Sequence, residues 1–422
     1  MSSIINDERI SLKQLFRQQQ KQTYQQRVKN FAVYSDNLKQ TGLSLFHRKI
    51  LSPADRIVKV ACNFESQVRD MLMFGSNNYL GFANHNYIKS KVSDAIDKFG
   101  VGIGGPPLLN GNHYLLTELE RRLAHFKGYE DALVFPSGYA TNLGLFSSLP
   151  LKKDIVIVDE KHHASCFDGL KLKKIPFTIF AHNNLADLDN KIKLAKADFA
   201  GDCFIAIEGV YSMQGDLAKL PELVIKAQQH KAILILDDAH GTGVLGDKGK
   251  GTMNYFQTSY DHCLSMGTFS KTFAVTGGFV CGNHEIIEYL RYFARSYMFS
   301  GSLSPMQCAA VLAGLDLLEQ EPHYQQTLLA NSRYATELIQ QLGIDVYTES
   351  AILVLPLKHS MNIEKVALDF HVNNIFVNTI KYPAVEEGQE CVRISFSAIH
   401  TKKDIEQLVN IIEKIWALES DN

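Results

Sequence analysis

The sequence predicts an α/β protein: a large domain on a mostly parallel sheet, plus a smaller α+β domain at the C-terminal end. Three observations lead there. Between residues 131 and 281, short apolar runs, most of them rich in Val and Ile, alternate with helical patterns, as strands covered on both faces by helices do. After Ser304-Pro305 the pattern changes to a long helical stretch followed by isolated strands. The 422 residues also exceed what one core ordinarily fills.

The elements follow in order. Residues 1–60 are rich in Gln, Lys and Arg and carry Ile10, Leu12, Leu15 and Phe16 at roughly helical spacing. They predict a helical arm lying on the body or on a partner subunit. Residues 61–305 form the large domain. Its strands are read at Asp131–Phe135, Ile155–Val158, Phe204–Ile207, Ile233–Leu236 and Phe279–Cys281, with helices such as Leu115–Phe126 and Pro221–His230 between several of them. Residues 306–422 form the smaller domain. It reads as helix from about Met306 to Leu342, strands at Ala351–Pro356 and Val392–Ser397, and a terminal helix from Lys402.

Composition excludes several classes. Hydrophobic residues make up 45% and charged residues 21%, the balance of a soluble globular chain. A formal net charge of -2 argues against a nucleic-acid partner, which calls for a basic face. The seven cysteines are scattered and never form Cys-x-x-Cys, so neither a disulfide framework nor a zinc site is expected. No apolar run approaches the roughly 18 residues that span a bilayer. The N-terminus lacks the apolar centre of a signal peptide. A cytoplasmic protein without an integral membrane segment is expected.

Some motifs fail on context. Gly100-Val-Gly-Ile-Gly-Gly105 follows a helical pattern (Ile88–Phe99) and precedes Pro106-Pro107, whereas a dinucleotide fingerprint follows a strand. His162-His163 and Asp237-Asp238-Ala239-His240 lack helical His spacing, so no metal is expected. Ser137-Gly138 lacks the Gly-x-Ser-x-Gly frame of a nucleophile elbow.

Gly267-Thr268-Phe269-Ser270-Lys271 is different. It follows the run Cys263–Met266 and precedes Thr276-Gly277-Gly278. A lysine just past a strand, among hydroxyls and glycines, suits a Schiff base, and partial burial favours the neutral amine. Asp237 ends another strand 34 residues earlier (271 − 237). A carboxylate there can face the pyridine nitrogen of pyridoxal phosphate and keep the ring an electron sink. His240 is placed to reach the ring's phenolic oxygen. Ser137-Gly138-Tyr139 opens a helix, whose free N–H groups bind phosphate. His163, after the strand Ile155–Val158, can stack on the ring. Singly, each has a plainer reading: a solvated loop lysine, a capping aspartate, a surface histidine. The combination points to the cofactor.

The chain resembles the α-oxoamine synthase family on these motifs. So do Ser76-Asn77-Asn78-Tyr79-Leu80-Gly81, His163-Ala164-Ser165, Glu208-Gly209-Val210-Tyr211-Ser212-Met213 with Gly215-Asp216, and Cys391-Val392-Arg393-Ile394-Ser395. The resemblance runs from about residue 70 to 400. It implies fold type I of the pyridoxal-phosphate transferases and an acyltransferase that joins an amino acid to an acyl thioester, on CoA or a carrier protein, with loss of carbon dioxide. It implies that Lys271 holds the cofactor, Asp237 pairs with the ring nitrogen, His240 with the ring oxygen, and His163 stacks. It places Thr268 and Ser270 at the phosphate or neighbouring atoms, and Ser300 and Ser302 at the phosphate of the other subunit of a homodimer; with Ser137, Gly138 and Tyr139 at the helix start, Ser212 is also expected at the cofactor. Asn77 and Arg393 would meet the substrate carboxylate. The motifs lean toward the serine palmitoyltransferase branch. The branches of 8-amino-7-oxononanoate synthase and 2-amino-3-ketobutyrate CoA ligase remain alternatives, as do a non-catalytic regulatory member of the fold and an aminotransferase.

Three departures stand out. Many relatives have glutamate where this chain has Asp238. The serine palmitoyltransferase type has Gly-Ser-Arg at Gly105-Pro106-Pro107, which leaves acyl specificity open. That type also has an arginine where Lys381 stands, 12 positions before Arg393 (393 − 381), so Lys381 is expected at the substrate, carrying the charge but not the fork.

Overall fold

The computed structural model describes residues 12–40, 45, 47–62 and 64–417. Ile10 and the side chain of Leu12 lie outside the described residues. Two helices come first, α1 (Leu12–Gln19) and α2 (Tyr24–Gln40). Leu15 is buried, Lys13 pairs with Glu387 at 3.0 Å, and the Phe16 ring meets that of Tyr382. The first turn of the chain's described part therefore lies against a segment near its C-terminal end.

Strands β1 (Lys49–Ile50), β2 (Ile57–Ala61) and β3 (Arg69–Met73) form a small sheet. The central sheet comprises β4 (Asp131–Phe135), β5 (Ile155–Asp159), β6 (Phe177–Phe180), β7 (Cys203–Glu208), β8 (Ile233–Asp237), β9 (Cys263–Thr268) and β10 (Gly278–Gly282). Its order is β4-β10-β9-β8-β7-β5-β6. The run from β9 to β6 is parallel, while β10 is antiparallel to both neighbours. The five expected strands are all present, and the sheet is mostly parallel as predicted. Strands β5, β7 and β9 are buried at every position, as a sheet covered on both faces requires.

Helices α3 (Asn86–Phe99), α4 (Tyr114–Lys127), α5 (Gly138–Ser148) and α6 (Ala164–Lys173) follow the same local rules. Gly128 closes α4 in the left-handed region at φ 77°, where a Cβ would be strained. Ser137 caps α5 by accepting the Ala140 N–H.

The helical stretch after residue 305 is not one helix. It divides into Pro305–Gln320 and His323–Gln341. Pro322 stands at the break, and proline can neither donate an N–H nor sit inside a helix without a clash. Beyond it, β11 (Ile352–Pro356), β13 (Asn378–Ile380) and β14 (Cys391–Ser395) form a sheet of order β11-β14-β13. The short β12 (Ile375–Phe376) instead joins β3 in parallel, tying the N-terminal sheet to the C-terminal segment. Among the described residues, no helix is long and apolar enough to cross a membrane.

Candidate active site

The carboxyl ends of the central strands converge, which is where open α/β sheets bind ligands. Five connections leave from there. Ser137 follows β4, His163 follows β5, Glu208 ends β7, Asp237 ends β8, and Lys271 follows β9. Register puts Glu208 beside Asp237, and Asp237 beside Met266.

Lys271 is partly buried, and its Nζ has no hydrogen-bond partner among the described residues. Burial lowers its pKa to about 8. Asp237 and Glu208 oppose that shift, and Arg393 adds to it. The amine is therefore poised to lose its proton near neutrality.

Asp237 is buried and held at both oxygens. Oδ1 accepts the Ala239 N–H at 3.1 Å, and Oδ2 accepts from Asn142 Nδ2 at 2.8 Å. The same Asn142 amide donates to Ser165 Oγ at 2.9 Å. Ser165 in turn reaches His163 Nδ1 through its hydroxyl at 2.7 Å and its N–H at 3.3 Å. With Nδ1 accepting, the His163 proton sits on Nε2. One chain of hydrogen bonds thus joins the two side chains expected to face and to stack on the ring.

His240 is buried and hydrogen-bonded through Nδ1 to Tyr79 Oη at 2.7 Å. Burial, then the cations Lys271 and Arg393, hold its pKa well below the usual histidine range. It is neutral. Tyr79 Oη donates to Asn77 Oδ1 at 3.2 Å, and Asn77 Oδ1 accepts from Arg393 Nη1 at 3.1 Å. Glu208 is fully buried, and burial followed by the adjacent Asp237 raises its pKa well above the carboxylate range. Its Oε2 accepts the Ser212 N–H at 3.2 Å.

Arg393 is buried in β14 with its plane fixed from two sides. Nε donates to the Ser212 carbonyl at 2.7 Å, and Nη1 donates to Asn77 Oδ1 and to Ser395 Oγ at 2.9 Å. Nη2 has no partner among the described residues. Two of the three nitrogens are already committed, so an incoming carboxylate is met chiefly by Nη2.

At the start of α5, the Gly138 and Tyr139 N–H groups donate to no described residue, while Ala140 N is taken by Ser137. Gly138 approaches Thr268 so closely that a Cβ would lie 2.8 Å from Thr268 Cβ. Thr268 Oγ1 is 2.9 Å from Ser270 Oγ. Two open amides therefore sit beside two hydroxyls, an arrangement suited to an anion.

The comparisons with known proteins agree with this geometry. Residues 69–412 match the family described as aminotransferase class I and II. A serine palmitoyltransferase from Sphingobacterium spiritivorum is 35% identical over 392 residues, 93% of this chain and 96% of that one. The chain belongs to the aminotransferase class I and II family, in its α-oxoamine synthase branch. An 8-amino-7-oxononanoate synthase from Thermosipho melanesiensis is 35% identical over 386 residues, 91% of this chain and 97% of that one. Among solved structures, a serine palmitoyltransferase variant from S. paucimobilis with a bound PLP–myriocin aldimine superposes with a TM-score of 0.87. It is 27% identical and covers 95% of this chain and 100% of that one.

Not every residue singled out by the α-oxoamine synthase resemblance joins the cluster. Lys381 lies past the end of β13, and its Nζ pairs with Glu364 at 3.0 Å. Ser300 and Ser302 line a cleft of about 660 Å³ with Gly105, Pro106, Leu108 and Leu109, and the Ser302 N–H bonds the Gly105 carbonyl. Neither serine is hydrogen-bonded to Lys271, Thr268 or Asp237.

Asn142, Ser165 and Glu208 were not assigned roles from sequence. Ser165 and Glu208 stand in motifs that carry the family resemblance, whereas Asn142, in the middle of α5, stands in none of them. Asp238 has a structural part. It pairs with Lys127 at 2.6 Å, both almost fully buried, and accepts the Thr252 N–H and hydroxyl. The backbones of Gly209, Gly241 and Gly251 press against it, leaving no room for a Cβ at any of them.

Proposed function

We propose that this chain is a pyridoxal-phosphate acyltransferase that condenses an amino acid with an acyl thioester, releasing carbon dioxide and leaving an α-amino ketone. The observation that carries the reading is Lys271, an amine with pKa lowered to about 8, among Asp237, neutral His240 and the buried Arg393. The residues present fit the cofactor. Two open amides at the start of α5, beside Thr268 and Ser270, suit its phosphate. The Asp237 carboxylate suits its ring nitrogen, His240 its ring oxygen, and His163 its face. When bound, pyridoxal phosphate supplies an electron sink for charge developing at the amino acid's Cα.

The chain's own residues do the rest. Lys271 holds the cofactor through Nζ and, once released, takes the Cα proton. Glu208, its pKa raised by burial and by the adjacent Asp237, lies beside that carboxylate. Arg393 and Asn77 grip the substrate carboxylate, and the rigid guanidinium directs it for loss as carbon dioxide.

The homologues named serine palmitoyltransferase support serine and a long acyl group as first candidates, and the 8-amino-7-oxononanoate synthases support the alternative branch. The test is purified enzyme with a panel of amino acids and acyl-CoAs, following thiol release. Turnover with one pair establishes the branch. No thiol release with any pair removes the reading.

Three further points belong to this proposal. The chain works as a homodimer in which Ser300 and Ser302 serve the partner's phosphate, in keeping with their place in a cleft beside Gly105 and Pro106. It divides into an arm (1–60), a cofactor domain (61–305) and a small domain (306–422). It resides in the cytoplasm, in keeping with seven cysteines that are all free.

A further inference from the structure

His182, just after β6, sits between two carboxylates. Its Nδ1 is 2.9 Å from Asp159 Oδ1 at the end of β5, and its Nε2 is 2.9 Å from Asp216 Oδ2. An imidazole that meets an acceptor at each nitrogen carries a proton on each. Burial works against that charge, but the hydrogen bonds to Asp159 and Asp216 outweigh it and raise the pKa to about 9.

Asp216 closes a turn. Its carbonyl accepts the Tyr211 N–H at 3.0 Å, and the Gly215 N–H bonds back to the Tyr211 carbonyl at 2.8 Å, with Gly215 at φ +77°. Asn183 adds donors to Asp216 Oδ2 at 3.1 Å and to the Leu217 carbonyl at 3.0 Å. The Tyr211 ring stands edge-on to His182 at 4.3 Å. Ser212 lies inside this turn, and its carbonyl receives Arg393 Nε.

We propose that His182 is a positioning residue for the Arg393 clamp. Through Asp216 it fixes the turn 211–216, and through the Ser212 carbonyl it sets the plane of the guanidinium. The inference rests on the reading of Arg393 as the group that grips the substrate carboxylate. His182 touches neither substrate nor cofactor in this scheme. Its effect falls on amino-acid binding and leaves the acyl donor alone.

The test uses holoenzyme and five variants: His182→Ala, the milder Asp216→Asn, Arg393→Ala, and each of the first two combined with Arg393→Ala. Hydrogen exchange measured by mass spectrometry should quicken over residues 209–217 in both single variants. Titration of the cofactor absorbance with amino acid, without acyl donor, should show binding weakened by about tenfold. The KM for acyl donor should stay within about twofold. In the Arg393→Ala background the added loss should vanish, because the clamp through which His182 acts is gone. Unchanged exchange over 209–217, or a loss of equal size with and without Arg393, overturns the proposal. If no amino acid perturbs the wild-type absorbance, the functional reading itself fails, and the exchange measurement still decides whether His182 holds the turn.

Discussion

Asn142, in the middle of a largely apolar helix, donates its amide proton to the Asp237 carboxylate across 2.8 Å. The contact joins helix α5 to the end of β8 and leaves the carboxylate no freedom to rotate. Its second bond, to Ser165, extends the constraint to His163.

Replacement of either partner should therefore be read in proton abstraction. Asp237→Asn should retain cofactor but slow exchange of the Cα proton of a bound amino acid on the order of 10²- to 10³-fold, the cost of losing a preorganised charge. Asn142→Leu should slow it by about tenfold, because the charge remains and only its orientation loosens. Exchange in deuterated buffer, followed by NMR, is the measurement. Wild-type exchange in Asp237→Asn would show that this carboxylate does not face the ring.

The Lys271 amine should show its lowered pKa directly. Below about pH 8 it is protonated and unreactive, and above it the neutral amine predominates. The rate at which cofactor-free protein captures pyridoxal phosphate should climb through pH 8 and level off. A solvated lysine would keep climbing past about pH 10. Asp237→Asn removes an anion that favours the charged amine, so its midpoint should move lower. A midpoint near that of free lysine in the wild type would contradict the burial. Lys271→Ala should fold and remain colourless after cofactor is added and gel-filtered away.

Arg393→Ala should raise the amino-acid KM by about 30-fold or more, equivalent to about 2 kcal/mol for removing one member of a buried charged contact. Its kcat should fall as well, since the carboxylate loses its fixed direction. Arg393→Lys should recover little, because lysine cannot bond Ser212 and Asn77 while also reaching a substrate. Lys381→Ala should change amino-acid KM by less than about threefold, as its partner is Glu364. Steady-state kinetics with saturating acyl donor distinguishes these outcomes. Equal effects at 393 and 381 would mean that the carboxylate is shared between them.

Mixing should reveal the proposed shared site. Lys271→Ala protomers and Ser302→Ala protomers, each impaired alone, should regain activity when refolded together, because one of the two sites in a mixed dimer is intact. An active monomer by light scattering would exclude that arrangement.

Lys271, Asp237 and His163 were legible because a residue just past the carboxyl end of a buried parallel strand has a narrow choice of direction. Chain order and strand length were enough to bring them together. Asn142 was not legible, since a helix presents side chains all round and only packing shows that this one faces Asp237. The surroundings of Lys381 were not legible by counting. Ile380 pairs with Cys391, so the intervening residues form the hairpin's connection, and the residue 12 before Arg393 falls beyond the sheet. The break at Pro322 was legible in principle, because proline rarely continues a helix. The antiparallel course of β10 was not, because a three-residue apolar core such as Phe279–Cys281 reads alike in both directions.

Asp238 has a consequence for how this chain can exchange segments with its relatives. Its carboxylate is enclosed by the backbones of three glycines and by Lys127, Thr242 and Thr252. A glutamate there needs one more methylene of space, which these glycines do not leave. Recombination with a glutamate-bearing parent that crosses over between residues 127 and 238 would set an acid of one length in a recess shaped for the other. Such hybrids would keep Lys271, Asp237 and His240 in their sequence and still fail, because the loop that seats His240 would no longer close. In a shuffled library screened for folded protein, crossovers inside that interval should be depleted. Residues 127, 209, 238, 241, 251 and 252 should be inherited as one block.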